Sequence, residues 1–172
     1  MQSDRRESFR ISVQLPCAWR AYRQKPKLPE IYRHFYGDQA GQMLNGAATL
    51  DQSFFSLLGD IQDRSVAAAL SQLNEKCDLI LHATCPADHM NLNSLQLSAD
   101  GFALSVPDAD QLSAYLGIHL RLPDGFNVIA SATCQHSGDR LHGAFLEMPS
   151  IDRRRLQRFL LNFQKTQPRS VA

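Results

Sequence analysis

Residues 9–19 alternate without a break: Phe9, Ile11, Val13, Leu15, Cys17 and Trp19 are separated by Arg10, Ser12, Gln14, Pro16 and Ala18. Successive side chains of a strand point to opposite faces, so a period of two over this length predicts a half-buried strand. Pro16 offers no ladder donor, which predicts an edge or a bulge at that point.

The pattern then becomes harder to read. Lys25-Pro26-Lys27-Leu28-Pro29 is a breaker cluster, and Gly37, Gly41 and Gly46 punctuate the stretch up to residue 49. Tyr32, Phe35 and Tyr36 are apolar enough to pack, but no periodicity names their partner.

From residue 50 the period changes. Leu50, Phe54, Leu57 and Ile61 are spaced four, three and four apart, and Val66, Leu70, Leu73, Cys77 and Ile80 continue the rhythm. This heptad-like seam predicts two consecutive helices or one broken helix over 48–85. The break is expected at Gly59 or at Asp63-Arg64-Ser65, with Asp63 or Ser65 as the second N-cap and Pro86 as the stop. Phe55, Leu58, Leu79 and Leu81 lie off the seam, so these helices need more than one apolar partner: the parent domain on one side and another subunit on the other.

Strand signals return at residue 92. Leu95 and Leu97, then Phe102, Leu104 and Val106, then Ile118, Leu120 and Leu122 alternate with other residues. Phe126, Val128 and Ala130 come next, and Leu141, Gly143 and Phe145 close the series. Asp100-Gly101, Pro123-Asp124-Gly125 and Ser137-Gly138-Asp139 are turn sequences between them. Hairpins at such intervals favour an antiparallel barrel or sandwich. Residues 150–164 read as a C-terminal helix, N-capped by Ser150 and with Asp152 in its first turn. Arg153, Arg154, Arg155 and Arg158 crowd the start of that helix against its dipole, so something outside the helix is expected to hold them.

Charge is uneven along the chain: +5 over residues 1–33, −8 over 34–112 and +4 over 113–172. Basic ends that meet in space would suit an anionic ligand, whereas the acidic middle argues against a continuous nucleic-acid face, so no DNA or RNA partner is expected. No apolar run approaches the ~20 residues that span a bilayer, and the first residues lack a secretory apolar stretch, so a cytoplasmic protein without membrane insertion is expected. Cys17, Cys77, Cys85 and Cys134 form no C-x-x-C pair and read as free thiols. The six histidines match no metal-ligand spacing and are expected on surfaces or loops. No G-x-S-x-G, H-E-x-x-H, Walker or glycine-rich dinucleotide pattern is present, and no local context nominates a catalytic triad, so no enzyme is expected.

Two short stretches carry ligand chemistry. Asp4-Arg5-Arg6-Glu7-Ser8-Phe9-Arg10 sets three guanidiniums at the entry to the first strand, and planar forks of that kind match phosphate oxygens and the Hoogsteen edge of guanine. Gln96-Leu97-Ser98-Ala99-Asp100-Gly101 leads from a strand into a turn, with short polar side chains and a glycine that permits positive φ. Together they resemble the paired signature of the PilZ family, R-x-x-x-R followed by [D/N]-x-S-x-x-G, with Gln96 in place of the acid or its amide. The resemblance covers residues 4–19 and about 92–163. It implies a mainly β domain with helices: a six-stranded antiparallel PilZ-type barrel flanked by a C-terminal helix, as a single domain over 1–172. It also implies binding of cyclic di-GMP by Arg5, Arg6, Arg10, Gln96, Ser98 and Gly101, with no further cofactor or metal, and signalling to a downstream protein that the sequence does not identify. The long helical insert after the first strand is similar to that of an atypical PilZ group that assembles into tetramers, and residues 70–80 resemble that group's second insert helix. A homo-oligomer is the implication, tetrameric in preference to dimeric, whose interface would use Leu50, Phe54, Leu57, Ile61, Val66, Leu70, Leu73, Cys77 and Ile80. The alternative function is an oligomeric scaffold of the same fold that does not bind nucleotide.

Overall fold

The computed structural model describes residues 9–83, 89–106 and 114–166. Six strands and three helices run in the order β1 (Ile11–Tyr22), α1 (Leu28–Leu58), α2 (Arg64–Ala83), β2 (Asn91–Leu97), β3 (Gly101–Ser105), β4 (Tyr115–Arg121), β5 (Asn127–Ser137), β6 (Arg140–Glu147) and α3 (Ser150–Thr166). The strands close into an antiparallel barrel in the order β1-β2-β3-β6-β5-β4. The barrel, the helical insert after the first strand and the C-terminal helix are those expected from the sequence.

The alternating positions of β1 point into the barrel, where Ile11, Leu15 and Cys17 join Leu97, Leu116, Ile118, Leu120, Val128 and Leu141. Leu156 and Leu160 of α3 complete this interior cluster. Removing such side chains from water is the main favourable term holding the barrel closed. Pro16 faces Leu92 on β2, and the β4 ladder begins one residue later at Cys17. On that flank the strand is locally an edge at Pro16, where a missing donor costs little.

The helical insert begins at Leu28, well before the expected residue 48. Pro29 occupies its first turn, where a proline is well tolerated, and the Glu30 carboxylate accepts the Lys27 N–H at 3.2 Å. The residues that look like breakers therefore start a helix. Ile31, Tyr32, Phe35 and Tyr36 pack with Ile129 of β5 in a second cluster outside the barrel wall. Gly37 then breaks the helix at φ 79°, ψ 175°, a conformation essentially confined to glycine, and the chain turns away. Beyond it few residues of the insert are buried: Gly41, Leu44 and Asp51 on α1 and Asp78 alone on α2. Asp63 caps α2 by accepting the Ser65 and Val66 N–H groups at 2.8 and 3.2 Å.

The expected seam is left open to solvent in the single chain. Leu50, Leu57, Val66, Leu73 and Ile80 are between 46% and 72% exposed, and Cys77 is exposed as well. Phe54, Ile61 and Leu70 are partly covered. Met43, 59% exposed and one heptad before Leu50, extends the row beyond the residues expected from the sequence. Of the off-seam residues, Leu81 packs against the α1 cluster and Phe55 receives the Arg154 guanidinium 4.4 Å from its ring centre.

Candidate functional site

Arg10, Gln96, Ser98 and Gly101 line one concavity of about 310 Å3 on the outer wall of the barrel. Arg5 and Arg6 lie outside the described residues. Strand register explains the convergence: Ile11 pairs with Leu97, so Arg10 reaches the end of β2 where Ser98 begins the turn into β3. Ser98 is only 4% exposed and its hydroxyl is engaged in the turn, donating to the Gly101 carbonyl at 3.1 Å and accepting the Gly101 N–H at 3.2 Å. Its role is to shape the wall of the cavity. The expected left-handed Gly101 is corrected, because the positive-φ glycines among the described residues are Gly37, Gly125 and Gly138. Gly101 is a strand residue, and a Cβ there would lie 2.2 Å from the Gly143 carbonyl oxygen on β6. Asp100, Thr133, Gln135 and His142 line the same concavity, although no ligand motif in the sequence marks the last three.

A second polar cluster joins the insert to the barrel, and it answers what holds the α3 arginines. Arg155, 3% exposed, pairs with Asp78 of α2, contacts Asp152 at 3.4 Å and lies 4.2 Å above the Phe126 ring. Arg158 pairs with Glu75 at 2.6 Å. Asn74 donates to both Asp51 and Asp78, at 2.9 and 3.4 Å, and the Ile129 N–H donates to Asp152 at 3.0 Å. Two histidines belong here rather than on the surface. His82 accepts the Asn127 N–H at 3.1 Å, and His119 is fully buried beneath α1, in contact with Tyr36, His89 and Asn127.

Burial pushes His82 down to about 4 and His119 down to about 3, and pushes Asp152 up to about 7. These shifts oppose one another. The histidines contribute stability that is lost as pH falls below their ordinary value near 6.5. Burial favours the protonated form of Asp152 up to about pH 7, so its contribution is lost as pH rises from the ordinary carboxylate range through about 7. Asp152→Asn removes only the second slope. The urea midpoint of that variant is therefore expected to rise more steeply between pH 5 and pH 7 than that of the native chain, and equal slopes would contradict this assignment.

No family model matches the sequence, and no curated protein is similar to it by sequence. Among the solved structures similar in backbone are two proteins. One is the Bacillus subtilis inhibitor of motility, MotI/DgrA, aligned over 96% of this chain and 53% of its own at 10% identity and a TM-score of 0.48. The chain thus spans about half the length of that protein. The other is a Xanthomonas campestris protein described as a tetrameric PilZ domain self-assembled through a helical bundle, aligned over 93% of this chain and 90% of its own at 16% identity and a TM-score of 0.48.

Proposed function

We propose that the chain is a receptor for cyclic di-GMP on a PilZ-type barrel, acting in the cytoplasm through contacts with other proteins and not as a catalyst. The observation that supports this is the convergence of Arg10, Gln96, Ser98 and Gly101 on one concavity, from two segments far apart in sequence. A guanidinium there serves a phosphate or a guanine edge, and the Gln96 amide can both donate and accept towards a base. Asp100 lines the same wall and supplies the carboxylate that Gln96 lacks for guanine N–H groups. Calorimetry with cyclic di-GMP on the full chain tests the reading. Saturable heat is expected, abolished by Arg10→Ala and by Arg6→Ala. Absence of both heat and thermal shift at high micromolar ligand would remove it.

A second reading, assembly through the insert, rests on a separate observation. Exposed apolar residues recur every seven positions on both insert helices, Met43, Leu50 and Leu57 on one and Val66, Leu73 and Ile80 on the other. Helices of this kind gain most of their stability from packing an apolar face, and a heptad row fits other helices of the same repeat. The occupant we assign is a second copy of the chain, tested by the mass in solution. If the barrel binds no nucleotide, assembly alone is the function, as an oligomeric scaffold.

A further inference from the structure

The concavity that holds Arg10 does not end at Gln96. A second one, of about 370 Å3, shares Gln96 and Ala103 with it and continues along β1, β2 and β3. Ser12 stands beside Gln96 and Gln14 beside Ser94, while Ser105 faces Arg140 across β3 and β6. From the level of Gly101 to that of Ser105 the strand rises roughly 13 Å. Arg10 and Arg140 thus mark the two ends of one polar trough whose floor carries neutral hydroxyls and amides. The Gln14 amide donates to the Ser94 hydroxyl at 3.3 Å, and both side chains line this concavity. Arg140 is exposed, and among the described residues no carboxylate pairs with it.

We propose that the whole trough is a single binding site, in which Arg140 reaches in to hold one phosphate of a doubly anionic cyclic dinucleotide whose other phosphate lies at Arg10. This rests on the cyclic di-GMP reading and adds a second anchor to it. A planar guanidinium that no carboxylate pairs with among the described residues favours a phosphate. The hydroxyls and amides of Ser12, Gln14, Ser94 and Gln96 suit sugar hydroxyls and base edges, and the Asp100 carboxylate lies at the Arg10 end, where it meets guanine N–H groups.

Calorimetry with cyclic di-GMP on the full chain, comparing native protein with Arg140→Ala, Ser94→Trp and Arg64→Ala, tests the inference. Arg140→Ala removes a charge-assisted bond and is expected to weaken affinity about tenfold or more. Ser94→Trp fills the trough and is expected to do the same without changing charge. Arg64→Ala, at the start of α2, removes an equal charge outside the trough and is expected to bind as the native chain does. Both trough residues are solvent-exposed, so unchanged thermal midpoints identify losses that come from binding. If Arg140→Ala and Ser94→Trp bind normally while Arg10→Ala does not, the distal anchor is wrong and the receptor reading stands. If the native chain shows no heat, both fall together.

Discussion

Arg155→Ala is expected to destabilise the folded chain by about 3–5 kcal/mol, the usual cost of stripping one partner from a buried ion pair. Asp51, Asp78 and Asp152 come from three different helices and are between 2% and 6% exposed; Asp78 and Asp152 contact this guanidinium, and Asp51 is tied to Asp78 through Asn74. Without it the carboxylates face one another, and the hydrogen bonds from Asn74 and the Ile129 N–H, which carry no charge, leave their repulsion uncompensated. In the native chain burial, and after it the charge of Arg155, hold the His82 pKa down to about 4, so losing Arg155 removes only the smaller of these two causes. Protonation of the carboxylates is the remaining escape, so the loss is expected to be smaller at pH 5 than at pH 8. Arg155→Met combined with Asp78→Asn removes one charge of each sign and is expected to recover part of the stability. Urea unfolding measures all of these. A loss below about 1 kcal/mol for Arg155→Ala at pH 8, against the cost usual for a buried pair, would mean that the ion pairs do not join the insert to the barrel.

The same residues show where sequence reasoning stops. Four arginines at the start of α3 are visibly out of place against the helix dipole, but the partners of Arg155 and Arg158 on α2 lie 77 and 83 positions away. Strand β1 is legible because its inner side chains are uniformly apolar and its outer ones are not. Strand β5 is less so, because both its faces are covered: Val128 and Ala130 look into the barrel while Ile129 lies under α1. The first part of α1 is opaque for a different reason. Its stripe of Ile31, Tyr32, Phe35 and Tyr36 ends at a glycine with positive φ, leaving too few turns for a helical period to emerge. His119 reads as a surface residue because nothing local reveals that a helix roofs the outer face of its strand. At the candidate site, Arg10, Gln96, Ser98 and Gly101 are legible as local motifs. Thr133, Gln135, His142 and Arg140 reach the same face only through the pairing of β6 with β3 and β5, a long-range register that no short segment encodes.

The second large effect concerns the insert. The native chain is expected to run as an oligomer in light scattering, and Leu50→Asp with Leu73→Asp is expected to bring the mass down to that of one chain, 19.3 kDa. These two leucines are 72% and 58% exposed in the single chain, so the substitutions carry almost no folding penalty of their own. Any change in mass therefore reports the contact between copies. Burying one such side chain contributes about 1.5–3 kcal/mol, and each copy loses two while gaining carboxylates that would have to be desolvated at the seam. Several kcal/mol per copy exceeds what most reversible assemblies hold in reserve at micromolar concentration. Heptad geometry admits two, three or four helices, so the subunit number is read from the native mass. Cys77 gives an independent measure, because mild oxidation should trap subunits through a thiol exposed on the same row. The barrel provides the control: its interior cluster contains neither leucine, so the variant should keep its β-sheet circular dichroism. A native chain that is monomeric at high concentration, or an oligomer whose mass survives both substitutions, would show that the exposed row is not a subunit interface.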